Sequence, residues 1–247
     1  MKRYVLILAA LLAPGLLSSA PVSSDALGAV RYEIRYQLKG IVTKVADATF
    51  SLEHSTWKQQ KVLHARAVIR AASVFRLFMN AEYLADTYLI PATRQPLYYF
   101  CPLKKGGKEG KFECIYDGGT GTITSEFVRP ACDPVLSTFP LDGRTMDLLS
   151  LLQYVRFLDL PEGRSLSLHI LKDGESVPSV LTCQGSDTER YPDRNTERFL
   201  LTMKGKGLME NGSGNKITVW RSTGSDRNFL GLEVNLGSGM MTVSVKD

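Results

Sequence analysis

The sequence lacks the short motifs that mark many catalytic and metal sites. Its 247 residues include three histidines and four cysteines, with no C-x-x-C pair and no H-x-x-x-H pair. Structural zinc sites and redox-active thiol pairs typically use such spacings. The G-x-S-x-G turn of many serine hydrolases is also missing. The sequence therefore predicts no metal, no cofactor and no catalytic residue.

Charge of one sign is also scarce. The chain has 30 Lys and Arg against 25 Asp and Glu, a formal net charge of +5, which falls to +3 without Lys2 and Arg3. A nucleic-acid partner normally requires a clustered basic face, so none is predicted. Four lysines cluster near one predicted hairpin (Lys104, Lys105, Lys108 and Lys111). They indicate either a solvated hairpin tip or a contact with anionic lipid headgroups or glycans.

Long apolar runs are limited to the amino terminus. Residues 4–17 carry no charge, follow Lys2 and Arg3, and precede the small residues Ser18, Ser19 and Ala20. This pattern is typical of a secretory signal peptide. We expect a signal peptide at 1–20, with cleavage as late as 28, and an extracytoplasmic, most simply periplasmic, mature chain. No later run approaches the ~20 residues of a membrane span, so no transmembrane segment is expected in the mature chain.

Export favours pairing of the cysteines, because oxidising compartments allow disulfides. Cys101 and Cys114 flank a turn-rich stretch whose midpoint falls between Gly107 and Lys108. A hairpin folded there would place the two thiols opposite each other, within reach of a bond. Cys132 and Cys183 would form the second bridge. The alternative is four free thiols.

The mature sequence mostly alternates in period two, as strands do. Residues 145–158 are the exception, because leucines recur there at helical spacing. A shorter helix is predicted at 71–78 and a loop at 131–144. No linker divides residues 29–247. We therefore predict one mainly β domain, a curved antiparallel sheet or partly open β-barrel, with one principal helix packed on it.

A few residues are candidates for a ligand groove. Tyr83, Tyr88, Tyr98 and Phe100 lie on neighbouring predicted strands, where they line a groove or pack as core. His54 and His64 are interpreted as structural residues rather than metal ligands.

Other residues are interpreted as structural. Asp147 and Arg156 lie nine residues apart, on nearly opposite helix faces, so each is predicted to tie the helix to a different partner. Asp226 and Asn228 are predicted to form the turn before the next strand.

Four ordered segments carry a family resemblance. They are Tyr32–Tyr36 with Gly40; Phe75–Phe78 with Tyr83, Tyr88, Pro91, Gly106, Gly107, Tyr116 and Asp117; Asp147–Ser150 with Arg156; and Asp226–Asn228 with Glu233. In this order they resemble the exported bacterial proteins of domain-of-unknown-function family 3108 (DUF3108), especially those of Bacteroides-type bacteria. The resemblance implies an extracytoplasmic β-rich fold. It supplies no activity and no catalytic residues to carry over.

The function favoured at this point is that of a non-catalytic cell-envelope protein. Its concave sheet face would bind an apolar, lipid-like ligand or a glycan. One alternative is an envelope hydrolase whose carboxylate and histidine site assembles only in space. Another is a structural module that contacts an envelope protein and binds no ligand.

Overall fold

The computed structural model describes residues 27–75, 82–105, 107–204 and 215–246. Within them the chain forms fifteen strands and one α-helix. The strands are β1 Gly28–Leu38, β2 Ile41–Trp57, β3 Gln60–Ala71, β4 Glu82–Leu89, β5 Pro96–Lys105, β6 Lys108–Asp117, β7 Thr122–Val128, β8 Val135–Pro140, β9 Thr145–Met146, β10 Ser165–Lys172, β11 Glu175–Ser186, β12 Thr196–Met203, β13 Lys216–Ser222, β14 Phe229–Asn235 and β15 Met240–Val245. The helix, α1, spans Leu148–Phe157.

All fifteen strands belong to one sheet, in the order β8-β7-β6-β5-β4-β3-β2-β1-β15-β14-β13-β12-β11-β10-β9. Neighbouring strands are antiparallel except β9 and β10, which run parallel. The first and last strands, β1 and β15, pair in the middle of the sheet. The described chain is therefore two meanders joined along that pair.

The sheet is rolled, because its two edges are joined by a short link. Strands β8 and β9 lie at opposite edges, yet only residues 141–144 separate them. Five Cα–Cα steps of about 3.8 Å span at most ~19 Å. Gly174, in the β10–β11 turn, also lies against Phe127 and Val135 from the other edge. The result is an open, barrel-like sheet, as predicted from the sequence.

Helix α1 lies on the concave side of this sheet. It contacts β3 and β4 in one half and β10 in the other. Eight of its ten residues are buried, which is expected for a helix surrounded by protein rather than lying on a surface. Asp147 is its N-cap, and the helix ends where Leu158 becomes extended.

Several predicted boundaries need correction. The helix begins at Leu148 rather than 145, because Thr145–Met146 pairs with β10 as a strand. The predicted loop at 131–144 contains β8. Of the helix predicted at 71–78, Ala71 ends β3 and Ser73–Phe75 forms a 3-10 turn. The remainder of that segment, and the signal peptide predicted at 1–20, lie outside the described residues.

The predicted disulfide alignment is also wrong. Lys105 pairs with Lys108, so the β5–β6 turn has two residues, and Cys101 faces Phe112 rather than Cys114. Diagonal neighbours of this kind lie about 7–8 Å apart, too far for an ordinary bridge.

All four cysteines are free thiols in the structure. Cys101, Cys114 and Cys183 are buried, and Cys132 is exposed. The predicted Cys132–Cys183 bridge is therefore absent as well.

The search for membrane-spanning helices gives a negative result for the described residues. None of the helices there combines the length and the hydropathy needed to cross a bilayer.

Candidate ligand-binding surface

Alternation along the strands separates a packed inner side of the sheet from an outer side. On β3, Leu63 and Ala65 are fully buried in the core, whereas His64 and Arg66 point to the opposite side. The same alternation places Asp86 and Tyr88 of β4 and Tyr98 of β5 on the outer side, next to β3.

Three aromatic rings meet on that outer side. Tyr88 and Tyr98 are directly opposite each other in the ladder, with ring centroids 6.0 Å apart. Trp57, at the end of β2, stacks on both, at 5.9 Å from Tyr88 and 5.6 Å from Tyr98. His64 stacks on Tyr88 at 4.6 Å. We call Trp57, His64, Tyr88 and Tyr98 the outer aromatic surface.

A carboxylate anchors the histidine of this surface. Nε2 of His64 donates to Oδ1 of Asp86 at 2.6 Å, and Nε of Arg66 donates to the same oxygen at 2.7 Å. Burial favours a raised pKa for Asp86, but the bonds from His64 and Arg66 outweigh it and hold that pKa below its usual value. Asp86 is therefore ionised at neutral pH.

A second carboxylate anchors Tyr98. The Tyr98 hydroxyl donates to Oε1 of Glu113 at 2.7 Å, and Nζ of Lys111 donates to Oε2 at 2.7 Å. Burial works to raise the pKa of Glu113, yet these two bonds lower it overall. Burial, followed by the bond to Glu113, raises the pKa of Tyr98. The rings are thus bordered by two charged, hydrogen-bonded groups.

The four residues predicted to form a groove do not share one face. Tyr88, Tyr98 and Phe100 lie on the outer side, but Tyr83 lies on the other side of β4, beside Cys101 and Tyr99.

Trp57 was not among the residues predicted to line the groove. Alternation from Glu53 through Ser55 to Trp57 is the signal that places it on the outer side.

A polar cluster lies buried on the inner side, at the start of α1. The Asp147 carboxylate accepts the Ser150 backbone N–H at 2.8 Å, the Ser150 hydroxyl, and the Tyr116 hydroxyl at 3.3 Å. Oγ of Thr87, on β4, lies 2.8 Å from the Ser150 hydroxyl oxygen. Burial raises the pKa of Asp147 to about 6, although the bonds from Ser150 oppose the shift.

The other end of α1 is held by two buried arginines. Arg156 donates to the Arg227 carbonyl at 3.0 Å and to Oδ1 of Asn228 at 3.1 Å. Asn228 in turn donates to Asp226 at 2.7 Å. Burial lowers the pKa of Arg156.

The second arginine, Arg221, caps the last turn of α1. Its Nη1 donates to the carbonyls of Val155, Arg156 and Leu158 at 2.6–3.0 Å. Its Nε and Nη2 bind Glu197 at 2.9 and 2.5 Å. Both ends of the helix are therefore tied to strands or loops of the sheet.

A small cavity lies beside Arg156 on the concave side of the sheet, among the described residues. It has a volume of about 60 Å³ and is lined by apolar residues such as Tyr32, Phe50, Leu152 and Phe229. Such a volume holds a few water molecules.

A larger depression of about 530 Å³ lies on the outer side of β1 and β15. The acids that line it are already paired, Glu33 with Arg35 and Glu233 with Arg190.

Within the described part of the chain, no group of three or more His, Cys, Asp or Glu residues is placed to hold a metal.

A family model for a protein of unknown function, DUF3108, matches residues 31–244, nearly the whole chain. The chain belongs to the DUF3108 family. The match confirms the resemblance to the family, and the Bacteroides-type origin stays a prediction. A comparison with curated proteins finds no match for this DUF3108 protein.

Two solved structures are similar to this DUF3108 chain. One is the crystal structure of a β-barrel-like protein of domain of unknown function DUF1849 from Brucella abortus, with 9% identity, TM-score 0.48, and coverage of 89% of this chain and 97% of that chain. The other is LprF from Mycobacterium bovis, with 12% identity, TM-score 0.25, and coverage of 90% and 86%. Similarities at this level carry no functional information.

Proposed function

We propose that this DUF3108 protein is an exported, non-catalytic binding protein of the bacterial cell envelope, and that its outer aromatic surface binds a glycan. One observation carries the proposal. Trp57, Tyr88 and Tyr98 stack together on the side of the sheet that faces away from the core. These rings are not part of the inner core that forms around α1.

The chemistry of this surface suits a sugar. Aromatic rings offer a broad apolar face with a polar edge, which matches the C–H face of a pyranose. Asp86, Glu113 and Arg66 border the rings and provide charged donors and acceptors for hydroxyl groups. Ligand sites commonly combine an apolar lining with a few fixed polar groups in this way.

The concave side is less suited to a ligand of lipid size. Helix α1 occupies it, and the cavity of about 60 Å³ is well below the roughly 300–1,000 Å³ of typical ligand sites. A lipid-like ligand on that side would require α1 to leave it. The leader at residues 1–20 supports export.

Intrinsic fluorescence tests the glycan proposal directly, because the chain has two tryptophans. Trp57 is part of the outer aromatic surface, whereas Trp220 is buried at 5% exposure. Titration with a panel of envelope-type oligosaccharides should change the emission of the wild type and of Trp220→Phe. Trp57→Phe should lose that change.

Removal of the Trp57 ring should also weaken oligosaccharide binding. Trp57→Ala should weaken the affinity at least tenfold by calorimetry, since the buried ring area contributes on the order of 2 kcal/mol. Tyr36→Ala, which removes a half-buried ring from β1, is the matched control and should bind normally.

The opposite results identify the alternatives. Equal binding by Trp57→Ala and wild type would refute the site. A lipid found by native mass spectrometry of the purified protein, with no oligosaccharide binding, would favour the apolar-ligand alternative. Release of shortened oligosaccharides during the titration would indicate a hydrolase.

A further inference from the structure

The hairpin joining β1 and β2 projects from one end of the sheet. Strand β3 ends at Ala71, opposite Ala46, so Ile41–Lys44 run beyond the last β3 residue that pairs with β2. On the other side β15 begins at Met240, opposite Gln37, so Leu38 and the turn lie beyond the last β15 residue that pairs with β1. Residues 38–44 are all exposed. We call residues 38–44 the hairpin tip.

The hairpin tip carries three exposed aliphatic side chains on a tight turn. Leu38 pairs with Ile41 across a two-residue turn, and Lys39 and Gly40 both have positive φ, at 48° and 84°. Such a turn matches the twist of the two strands. Leu38, Ile41 and Val42 are nevertheless 43%, 71% and 54% exposed. Contiguous exposed aliphatic residues commonly mark an interaction surface.

The charge around the hairpin tip indicates the kind of surface that it contacts. Residues 34–46 contain Arg35, Lys39 and Lys44 and no Asp or Glu. Arg35 pairs with Glu33, Lys44 pairs with Asp47 at 2.9 Å and with Glu33 at 3.5 Å, and Lys39 lies at the turn itself. Exposed aliphatic side chains beside a lysine are typical of segments that enter the interface of an anionic bilayer.

Topology brings a second basic hairpin to the same end. Alternating strand directions place the β5–β6 turn on the side of the β1–β2 turn. Lys104 and Lys108 are exposed there, and Lys104 pairs with Glu109 at 3.1 Å. Cations of two hairpins therefore lie at this end of the sheet.

We propose that the hairpin tip docks on the surface of a bilayer rich in anionic phospholipids. Leu38, Ile41 and Val42 enter the interfacial region, and Lys39 contacts the phosphate groups. The interfacial region that such side chains enter is about 5–10 Å deep. The inference goes beyond the proposed glycan binding and uses none of the residues of that surface.

Vesicle co-sedimentation tests the proposal. Protein purified from the extracytoplasmic fraction should bind vesicles that contain phosphatidylglycerol and bind phosphatidylcholine vesicles more weakly, with binding reduced by salt. The Ile41→Ser, Val42→Ser double variant should bind at least about tenfold more weakly. Lys39→Gln should bind phosphatidylglycerol vesicles about fivefold more weakly and phosphatidylcholine vesicles as the wild type does.

Matched controls separate the tip from general surface effects. Ile115→Ser removes an aliphatic side chain that is 40% exposed near the end of β6 remote from the hairpin tip, and Lys61→Gln removes an exposed lysine from the far end of the sheet. Both should bind vesicles like the wild type. Equal melting temperatures across the set show that the folds are unchanged.

The proposal is overturned if the wild type ignores phosphatidylglycerol vesicles at low salt, or if the tip variants bind as the wild type does. It is also overturned by equal binding to both lipids. Trp57→Ala should bind vesicles normally, so failure of the glycan proposal and failure of this one are distinguishable.

Discussion

Asp147 should make the protein less stable as the pH rises from acid to neutral. Its carboxyl group is 1% exposed, and burial raises its pKa to about 6, against 3.8 without that environment. The folded chain therefore holds the proton more tightly than the unfolded chain. The stabilisation is complete below about pH 4 and is lost as the pH rises through about 6.

The magnitude follows from the two pKa values. A difference of about 2.2 pH units, at about 1.36 kcal/mol each, corresponds to ~3 kcal/mol. Asp147→Asn removes the titration and keeps the two contacts with Ser150, because the amide oxygen accepts the Ser150 N–H and the amide nitrogen donates to the Ser150 hydroxyl. The Tyr116 hydroxyl loses its acceptor at both pH values, so that loss cancels in the pH dependence. Between pH 3.5 and pH 7.5 the free energy of unfolding of the variant should therefore rise by ~3 kcal/mol relative to that of the wild type. The lower pH lies just below the unfolded-state pKa of 3.8 and the higher pH lies above the folded-state pKa of about 6.

Urea unfolding followed by tryptophan fluorescence at both pH values measures this quantity. Taking the variant minus the wild type cancels every other titrating group. Asp47→Asn is a control of opposite sign, because bonds from Lys246 and Lys44 lower the pKa of Asp47. A difference for Asp147→Asn that does not change with pH, or that changes in the direction of the control, would refute the reasoning.

Three further outcomes are expected. Arg221→Ala should lower the free energy of unfolding by about 3 kcal/mol, because it leaves Glu197 and the last carbonyls of α1 without their donor. Loss of the exposed Arg70–Glu82 pair should cost under ~1 kcal/mol, so equal urea midpoints for the two variants would contradict this. Asp86→Asn should destabilise the chain by roughly 1–3 kcal/mol at pH 7 and by less as the pH falls through the lowered pKa of Asp86, measured by the same unfolding assay. A thiol reagent should modify one cysteine per native chain, Cys132, and all four cysteines after denaturation. Modification of fewer than four cysteines in the denatured chain would show that disulfides exist.

Much of the sheet could be predicted because its strands alternate. Buried and exposed residues alternate along β1 and β11, and apolar residues alternate with them in the sequence. A sheet with its core on one side can therefore be predicted from the sequence. Strand β8 escaped prediction because it contains Pro140, follows Pro134 and is mostly exposed, so it shows little alternation between buried and exposed residues. The start of α1 was misplaced because Thr145 and Met146 extend an apolar pattern that belongs to a parallel strand pair.

The candidate site was predictable only in part. The sequence shows that neighbouring strands are rich in tyrosine. Which of these tyrosines lie on the same side of the sheet depends on the register of the strands. Tyr83 and Tyr88 differ by an odd number of residues on one strand, so they point to opposite sides. The stacking of Trp57 across β3 onto Tyr88 and Tyr98 is a long-range contact with no local signal.

The cysteine prediction failed for a similar reason. The prediction put the midpoint of the hairpin between Gly107 and Lys108, whereas the pairing of Lys105 with Lys108 puts it between residues 106 and 107. This shift moves every partner along the ladder. Cys114 then faces Tyr99.

The pairing of β1 with β15 has a consequence for the order in which the chain acquires its fold. Every other strand pairs with its neighbour in sequence, so most contacts close short loops, whereas Tyr32 must find Val245 across more than two hundred residues. Closing that loop has the largest entropic cost and should come late. A circular permutant with its ends joined and its chain opened at residues 141–144 would have only local pairings. It should refold faster than the natural order at similar stability.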